Sequence, residues 1–311
     1  MRILRNLDDL PDSARSGAVA IGNFDGVHLG HARIVERLVA KAREVGGPSV
    51  VFTFDPHPVR LLRPDQCPPP LTWTARKAEL LQKLRVDCLV VYPTDRQLLG
   101  LTPLLFFRSV VVDALAARAM VEGPNFFFGR DRAGTIDLLR QLATDADVAL
   151  EVVTPRLVDG EVVSSSRIRR LIAAGEVDRA CRMLTEPYRV RGMVTHGMAR
   201  GAAIGFPTAN LDAVDTLLPA DGVYAGRGWL DGRRWPAAIH VGTSPTFRQM
   251  QRKVEVHLIG YAGHCYGEPL EVDFLVQLRD IRTFRSVDAL RDQLGEDVAR
   301  AGTIVAEQGK S

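Results

Sequence analysis

The texture of the chain changes once, near residue 186, and that change limits the architectures open to it. Before it, apolar runs alternate with amphipathic stretches. Gly17 to Phe24, Ser49 to Phe54, "DCLVVY", "RAMVEG" and "VALEVV" read as strands. Between the first two, Ile34, Val35, Leu38, Val39 and Ala42 recur at helical spacing within Ala32 to Val45. Trp73 to Leu84, Leu104 to Ala116 and Thr135 to Leu142 read as further helices. Strands separated by helices imply right-handed crossovers and a parallel, Rossmann-like sheet. After about Glu186 the strand-like runs follow one another: Tyr188 to Thr195, Val223 to Leu230, Arg233 to Val241, Lys253 to Tyr261 and Leu270 to Leu278. Asp231-Gly232 is a hairpin turn signal between two of them. Such a series predicts an antiparallel β-barrel. Ser286 to Ala301 closes it as a helix, with Leu290, Leu294 and Val298 on one stripe. The helical stretch Arg167 to Leu184 joins the halves. The expected fold class is therefore α/β followed by a barrel, with domains at 1–185 and 186–311.

Composition sets the outer limits. At 311 residues two domains are the better expectation, and 46% hydrophobic content supports a core in each. Forty Lys and Arg against 37 Asp and Glu leave a net charge of +3 without a dense basic run, so nucleic acid is not demanded as a partner. Cys67, Cys88, Cys181 and Cys265 never fall at CxxC spacing, which argues against zinc or dithiol chemistry. Free thiols in a reducing compartment are the expected reading. No apolar run is long enough to span a bilayer, and "MRILRNLDDL" has no long apolar core, so no membrane partner and a cytoplasmic location are expected.

Residues 21 to 31, "IGNFDGVHLGH", hand a strand over to a helix through glycines and histidines that pack poorly. A glycine-rich turn into a helix exposes backbone N–H groups and a positive helix end. His28 and His31, three apart, can face one phosphate and donate hydrogen bonds to charge developing on it. Other strand ends add pieces. "TFDPHP" at 53–58 carries prolines that fix its loop. "EGPNFFFGRDRAG" at 122–134 offers Asn125 and three aromatics that could stack on a flat ring. "SSSRIRRLI" at 164–172 puts hydroxyls and arginines at a helix start, which suits a phosphate. Ligands of parallel sheets bind beyond the carboxyl ends of strands, so these loops can converge there.

A second constellation lies in the barrel half. In "GFPTANL", 205–211, Pro207 removes a ladder donor, and Thr208 and Asn210 point to one side. Two hard oxygens on one face suit Mg²⁺ holding a nucleotide's phosphates. Upstream, "HGMARG" supplies a glycine loop for those phosphates. In "KVEVHL", Glu255 alternates with Val254 and Val256, and is expected on the inward face of the barrel. A carboxylate there is costly unless used, and it could accept a proton from a substrate hydroxyl.

These strings together resemble the bacterial bifunctional riboflavin kinase/FAD synthetases. The first half carries G-x-F-D-G-x-H-x-G-H, T-F-x-P-H-P, the G-x-[DN]-F-x-F-G element and S-S-T-x-I-R at Gly22–His31, Thr53–Pro58, Gly123–Gly129 and Ser164–Arg169. The second half carries G-F-P-T-A-N, "GVYAG" at 222–226, "GTSPTF" at 242–247, "VEVHL" and "YGEPLEVDF" at 266–274. Three positions depart from the family: Ser166 stands for Thr, Ala202 for Arg, and Ile281 for the Glu of L-R-x-E-x-x-F.

The resemblance implies a nucleotidyltransferase domain followed by a riboflavin kinase domain, which make FMN from riboflavin and ATP and then FAD and pyrophosphate from FMN and a second ATP. It places ATP and its phosphates on Gly22, Phe24, Asp25, Gly26, Gly30, Ser164, Ser165, Arg169, Gly201, Gly205 and Pro207. It places the flavin on Phe54, Pro56, Pro58, Phe126 and Phe128. His28, His31 and Asn125 would serve the transferase reaction, Glu255 the kinase reaction, and Thr208 with Asn210 the metal. Two alternatives remain open on the sequence. One is an FMN adenylyltransferase with a degenerate barrel; the other is a flavin- or RNA-binding regulator using the same pockets. The oligomeric state is open.

Overall fold

A computed structural model describes residues 1–8, 10–196, 200–246 and 249–308. Gly197 to Ala199 of the upstream glycine loop and Phe247 of "GTSPTF" lie outside the described residues. Contacts divide the chain into two compact units, Met1–Pro68 with Thr74–Ser164, and Pro69–Trp73 with Ser165–Ser311.

The first unit is built on a parallel sheet in the order β1-β4-β3-β2-β5-β6. Its strands are β1 (Arg2–Leu4), β2 (Ala18–Ile21), β3 (Ser49–Asp55), β4 (Cys88–Pro93), β5 (Ala119–Glu122) and β6 (Ala149–Val152). The edge strand β1 carries no periodic signal of its own; it is strand because Arg2 to Leu4 pair with Cys88 to Val90. Each central strand is apolar on both faces, as a covered parallel sheet requires. Val19, Ile21, Val50, Phe52, Cys88 and Val90 feed one core, and Ala18, Ala20, Val51, Leu89 and Val91 the other. Helix α1 (Leu29–Glu44) contributes Val35, Leu38 and Ala42 to the second core. The short helix α2 (Pro58–Leu62) follows β3, and α3 (Thr74–Lys83) adds Ala78, Leu80 and Leu81 to the second core.

One predicted helix differs in kind. Leu104 to Ala116 is an α-helical turn, α5 (Pro103–Phe106), that runs on as a π-helix over Phe107–Ala114; the turn α4 (Arg96–Gly100) precedes it. Its buried residues, Phe106, Phe107, Val110, Val111 and Leu115, recur four to five apart, which fits i→i+5 bonding better than the α repeat. Leu104 and Leu105 are left on the surface. Helix α6 (Ile136–Asp145) covers the same face with Ile136, Leu139 and Ala143. A small hairpin, β7 (Leu157–Val158) with β8 (Glu161–Val162), ends the unit.

The second unit is a closed six-strand barrel in the order β10-β13-β12-β11-β14-β9. The strands are β9 (Tyr188–Thr195), β10 (Ala209–Asp212), β11 (Gly222–Leu230), β12 (Arg233–Thr246), β13 (Gln249–Leu258) and β14 (Pro269–Arg279). Asp231 and Gly232 both hold positive φ, 51° and 71°, as the β11–β12 hairpin needs. Helices α7 (Ser165–Ala173) and α8 (Val177–Cys181) group with this unit, and the Cys181 thiol bonds the Phe274 carbonyl of β14 at 3.4 Å. A short helix, α9 (Arg200–Ala203), precedes the GFPTAN segment. Helix α10 (Val287–Gln308) packs on β11 and β12. Arg279 at the end of β14 holds it there through a bidentate pair with the buried Asp297, Nε to Oδ1 at 3.2 Å and Nη2 to Oδ2 at 2.8 Å.

Candidate active sites

In the first unit the chain runs β2, β3, β4 outward on one side of the sheet and then returns to place β5 and β6 on the other. The strand order reverses between β2 and β5, and a crevice opens beyond their carboxyl ends. A cleft of about 270 Å³ lies there, lined by Gly22, Phe24, His28, Gly30, His31, Glu122, Asn125, Phe126, Arg156 and Ser164 among others. Glycine-rich turn, Asn125 loop and Ser164 thus converge as the sequence predicts.

The turn is strained. Phe24 and Val27 hold φ of 46° and 38°, and both side chains are buried. Positive φ is costly for a β-branched residue and persists only where the surroundings impose it. Here it delivers His28 to the N-cap of α1. The Nδ1 atom of His28 accepts the backbone N–H of His31 at 3.2 Å. A nitrogen that accepts carries no proton, so the ring proton sits on Nε2 and can be donated to a ligand. Burial lowers the His28 imidazole from 6.5 to about 4, although a backbone hydrogen bond and the charge of Asp25 work in the other direction. His31 lies well below the ordinary range, through burial first and then His28 and Lys77. Both imidazoles are therefore neutral donors near pH 7, which refines the picture of two rings facing a phosphate. Gly30 makes room for them, since a Cβ there would lie 3.1 Å from His28 Cε1 and Nδ1.

Two buried groups of this unit were not singled out from the sequence. Lys77 of α3 reaches Thr53 at 3.2 Å, and the Thr53 hydroxyl donates to the Asn23 carbonyl at 3.1 Å, which ties helix, strand and turn together. Burial lowers the Lys77 ammonium. Glu122, at the end of β5, accepts the Ile21 N–H at 2.7 Å, and burial pushes its carboxyl well above the carboxylate range despite that bond. Neither follows from spacing. A lysine in an apolar helix stripe and a glutamate ending an apolar strand were the available signals.

Some predicted residues fall elsewhere. Asp25 and Gly26 are buried in the turn and do not line the cleft. Phe54, Pro56 and Pro58 do not line it either; Phe54 packs against the core on the face opposite α1. Phe128 is core as well, stacked on Phe126 with centroids 5.4 Å apart, so only Phe126 of that pair reaches the cleft. Ser165 and Arg169 belong to α7 in the second unit, where Arg169 Nε donates to the Pro69 carbonyl at 2.9 Å.

The second unit has its own cleft of about 610 Å³, between the outer surface of the barrel and α10. Leu290, Leu294 and Val298, the predicted stripe, form its apolar wall. Gly201, Phe206, Thr208, His240, Glu255, His257 and Ile281 line it too. Gly201 packs against the Phe206 carbonyl, where a Cβ would lie 2.4 Å away, and Gly205 holds a φ of 93°. These two glycines let α9 turn back into the GFPTAN segment. Pro207 precedes β10 rather than interrupting it, so no ladder bond is lost. Its carbonyl accepts from His257 Nδ1 at 2.8 Å. Ala209 and Leu211 are buried, while Thr208 and Asn210 lie half-buried on the opposite side, as the alternation predicts.

Glu255 corrects the sequence reading. Its neighbours Val254 and Val256 fill the barrel interior at 1% exposure each, and Glu255 projects outward into the cleft. The alternation holds and the face is the opposite one, because a valine pair satisfies the core and a carboxylate there would be unsolvated. Asn210 on β10 and His240 on β12 stand directly opposite Glu255 in register. Among the described residues no cluster of three His, Cys, Asp or Glu could hold a metal. Thr208 and Asn210 therefore offer a partial oxygen set of the kind that suits a cation arriving with phosphates.

Comparison with known proteins agrees with both halves. Residues 10–167 match the family described as FAD synthetase, and residues 184–305 that described as riboflavin kinase. A bifunctional riboflavin kinase/FMN adenylyltransferase of Pseudomonas fluorescens is 34% identical over 98% of each chain. The protein of the same name from Escherichia coli K12 is 31% identical over 96% of each. A solved structure from Streptococcus pneumoniae, titled a macrolide-efflux protein, matches with a TM-score of 0.86 at 33% identity, covering 95% of this chain and 96% of that one. No described helix of the present chain is long and apolar enough to cross a membrane. With both domains matched in this order over nearly its whole length, the chain belongs to the bifunctional riboflavin kinase/FMN adenylyltransferases.

Proposed function

We propose that residues 186–311 phosphorylate riboflavin with MgATP to FMN, and that residues 1–185 then adenylylate FMN to FAD. The observation that carries this reading is the pair of separate clefts, one in each unit, lined respectively by His28, His31 and Ser164 and by Thr208 and Glu255.

In the kinase reaction the ribityl 5′-hydroxyl attacks the γ-phosphorus of ATP and ADP leaves. Glu255 takes the hydroxyl proton. Thr208 and Asn210 would hold Mg²⁺, which would neutralise phosphate charge, and Gly201 and Gly205 shape the loop beside the triphosphate. Leu290, Leu294 and Val298 supply an apolar wall for the isoalloxazine. In the transferase reaction a phosphate oxygen of FMN forms a bond to the α-phosphorus of ATP while the bond to pyrophosphate breaks. The nucleophile is already an anion, so no protein base is needed. His28 donates from Nε2 to the crowded phosphates with His31 beside it, and Asn125 and Phe126 orient the ligand. Gly22 and Gly30 allow close approach, and Ser164 serves the pyrophosphate side. The free thiols Cys67, Cys88, Cys181 and Cys265 suit a reducing, cytoplasmic setting.

The test is a product assay on the wild type and Glu255→Ala, supplied with riboflavin or with FMN. The variant is expected to lose riboflavin phosphorylation and to keep FAD formation from FMN. A wild type that makes FAD from FMN but never consumes riboflavin would leave only the transferase. Thr208 and Glu255 on one cleft, with Asn210 opposite Glu255 in register, count against that outcome.

A further inference from the structure

We infer that His240 is a positioning residue for riboflavin phosphorylation, orienting the carboxylate of Glu255 through a hydrogen bond from Nδ1; this rests on the reading of Glu255 as proton acceptor. Three adjacent strands place Asn210, Glu255 and His240 in one row across the barrel's outer surface. His240 Nδ1 lies 3.7 Å from Glu255 Oε2, just beyond hydrogen-bond length. That nitrogen is buried and has no hydrogen-bond partner among the described residues. A buried polar atom is costly until it is satisfied, so a small rotation of either side chain is favoured.

The surroundings leave Glu255 as the acceptor. The imidazole packs against Gly242, where a Cβ would lie 2.9 Å from its Cε1, so the ring occupies space that any side chain would fill. The Ile281 Cδ1 approaches the same point to 2.8 Å and offers no acceptor. The other carboxylate lining the cleft, Asp297, is engaged by Arg279 and by Gln293 at 3.0 Å. With Ile281 where the family has glutamate, no carboxylate at that position competes for the imidazole.

The consequence is geometric. A bond from Nδ1–H to Oε2 fixes the plane of the Glu255 carboxylate and leaves Oε1 free. The ribityl hydroxyl proton passes to Oε1 as its oxygen bonds the γ-phosphorus and ADP departs. His240 acts through this bond and takes no proton from the substrate.

The test compares full-length His240→Leu, His240→Asn and Glu255→Ala, each assayed with riboflavin and MgATP and, separately, with FMN and MgATP. His240→Leu is expected to lower kcat for riboflavin phosphorylation about tenfold, with KM for riboflavin and ATP within about twofold. His240→Asn, whose amide nitrogen can stand in for Nδ1, is expected to keep at least about half of kcat. FAD formation from supplied FMN and the melting temperature should not change in either. If the leucine variant melts early, His240→Ser replaces it. Wild-type kcat in the leucine or serine variant overturns the inference. So does an equal loss in the asparagine variant, or a loss confined to KM for riboflavin, which would mark a packing role. Should Glu255→Ala phosphorylate riboflavin normally, the proton-acceptor reading has failed, and this inference falls with it.

Discussion

His28 and His31 stack face to face, with ring centroids 3.6 Å apart and planes 11° from parallel. Two imidazolium rings could not sit this way, because like charges so close would repel in a buried setting. The stack, the N-cap bond and the burial all require neutral rings, and a neutral His28 still has an N–H for a phosphate.

The neutral state is directly testable. ¹⁵N NMR of His28 should show the Nε2–H tautomer down to about pH 5. Its folded value, about 4, is below the ordinary 6.5, so the unfolded chain binds the proton first as pH falls. Stability from this group is complete above pH 6.5 and is lost between there and about 4. Against His28→Asn, which can still cap α1 but does not titrate, the wild type should lose about 3 kcal/mol over that window in urea titrations. A constant difference between the two proteins would contradict the assignment.

Gly30→Ala separates the site from the fold. Alanine favours the helix by up to about 1 kcal/mol, which offsets the strain on the His28 cap, so the melting temperature should change little. The added Cβ would meet the His28 ring at 3.1 Å and push it aside. FAD formation from FMN should fall about tenfold, and riboflavin phosphorylation should be untouched.

Glu122→Gln should stabilise the first unit in a pH-dependent way. The Glu122 carboxyl is held neutral by burial, so the unfolded chain loses its proton first as pH rises. The wild type therefore loses stability above about pH 4.5, whereas glutamine has no proton to lose and can keep the bond from Ile21. Thermal melts should show the variant's advantage growing as pH rises from about 4.5 to 8 and absent near pH 4. A gain independent of pH would show that the carboxyl is not neutral in the folded protein.

Asp297→Ala should unfasten α10. It removes the partner of Arg279, which is then left mostly buried and unpaired. Such losses cost about 3 kcal/mol or more, so the barrel should melt earlier and riboflavin phosphorylation should weaken with its apolar wall displaced. Retained melting temperature with full kinase activity would contradict that role.

The strands and helices were legible because burial on both faces of a parallel sheet and on one face of a barrel leaves a local pattern. The glycine turn with His28 and His31, the Thr208–Asn210 alternation and the stripe of Leu290, Leu294 and Val298 are equally local; His28, His31, Thr208 and the stripe line the clefts, while Asn210 stands beside Glu255 in register without lining one. The π-helix was hidden because a repeat of four to five residues looks helical over a short span. Phe54, Pro56, Pro58 and Phe128 do not line the first cleft, because a motif gives the loop and not the direction of each side chain.

What the sequence determined by itself was therefore the parallel-sheet half followed by the barrel half, the family, and the glycine-bearing turns that lead into the two clefts. Which face Glu255 occupies, which partners His240, Lys77 and Glu122 meet, and the protonation that burial imposes were decided only by tertiary structure. Each of those depends on desolvation and on atoms brought from distant segments, such as Ile21 with Glu122 or His240 with Glu255, and no spacing along the chain encodes such meetings.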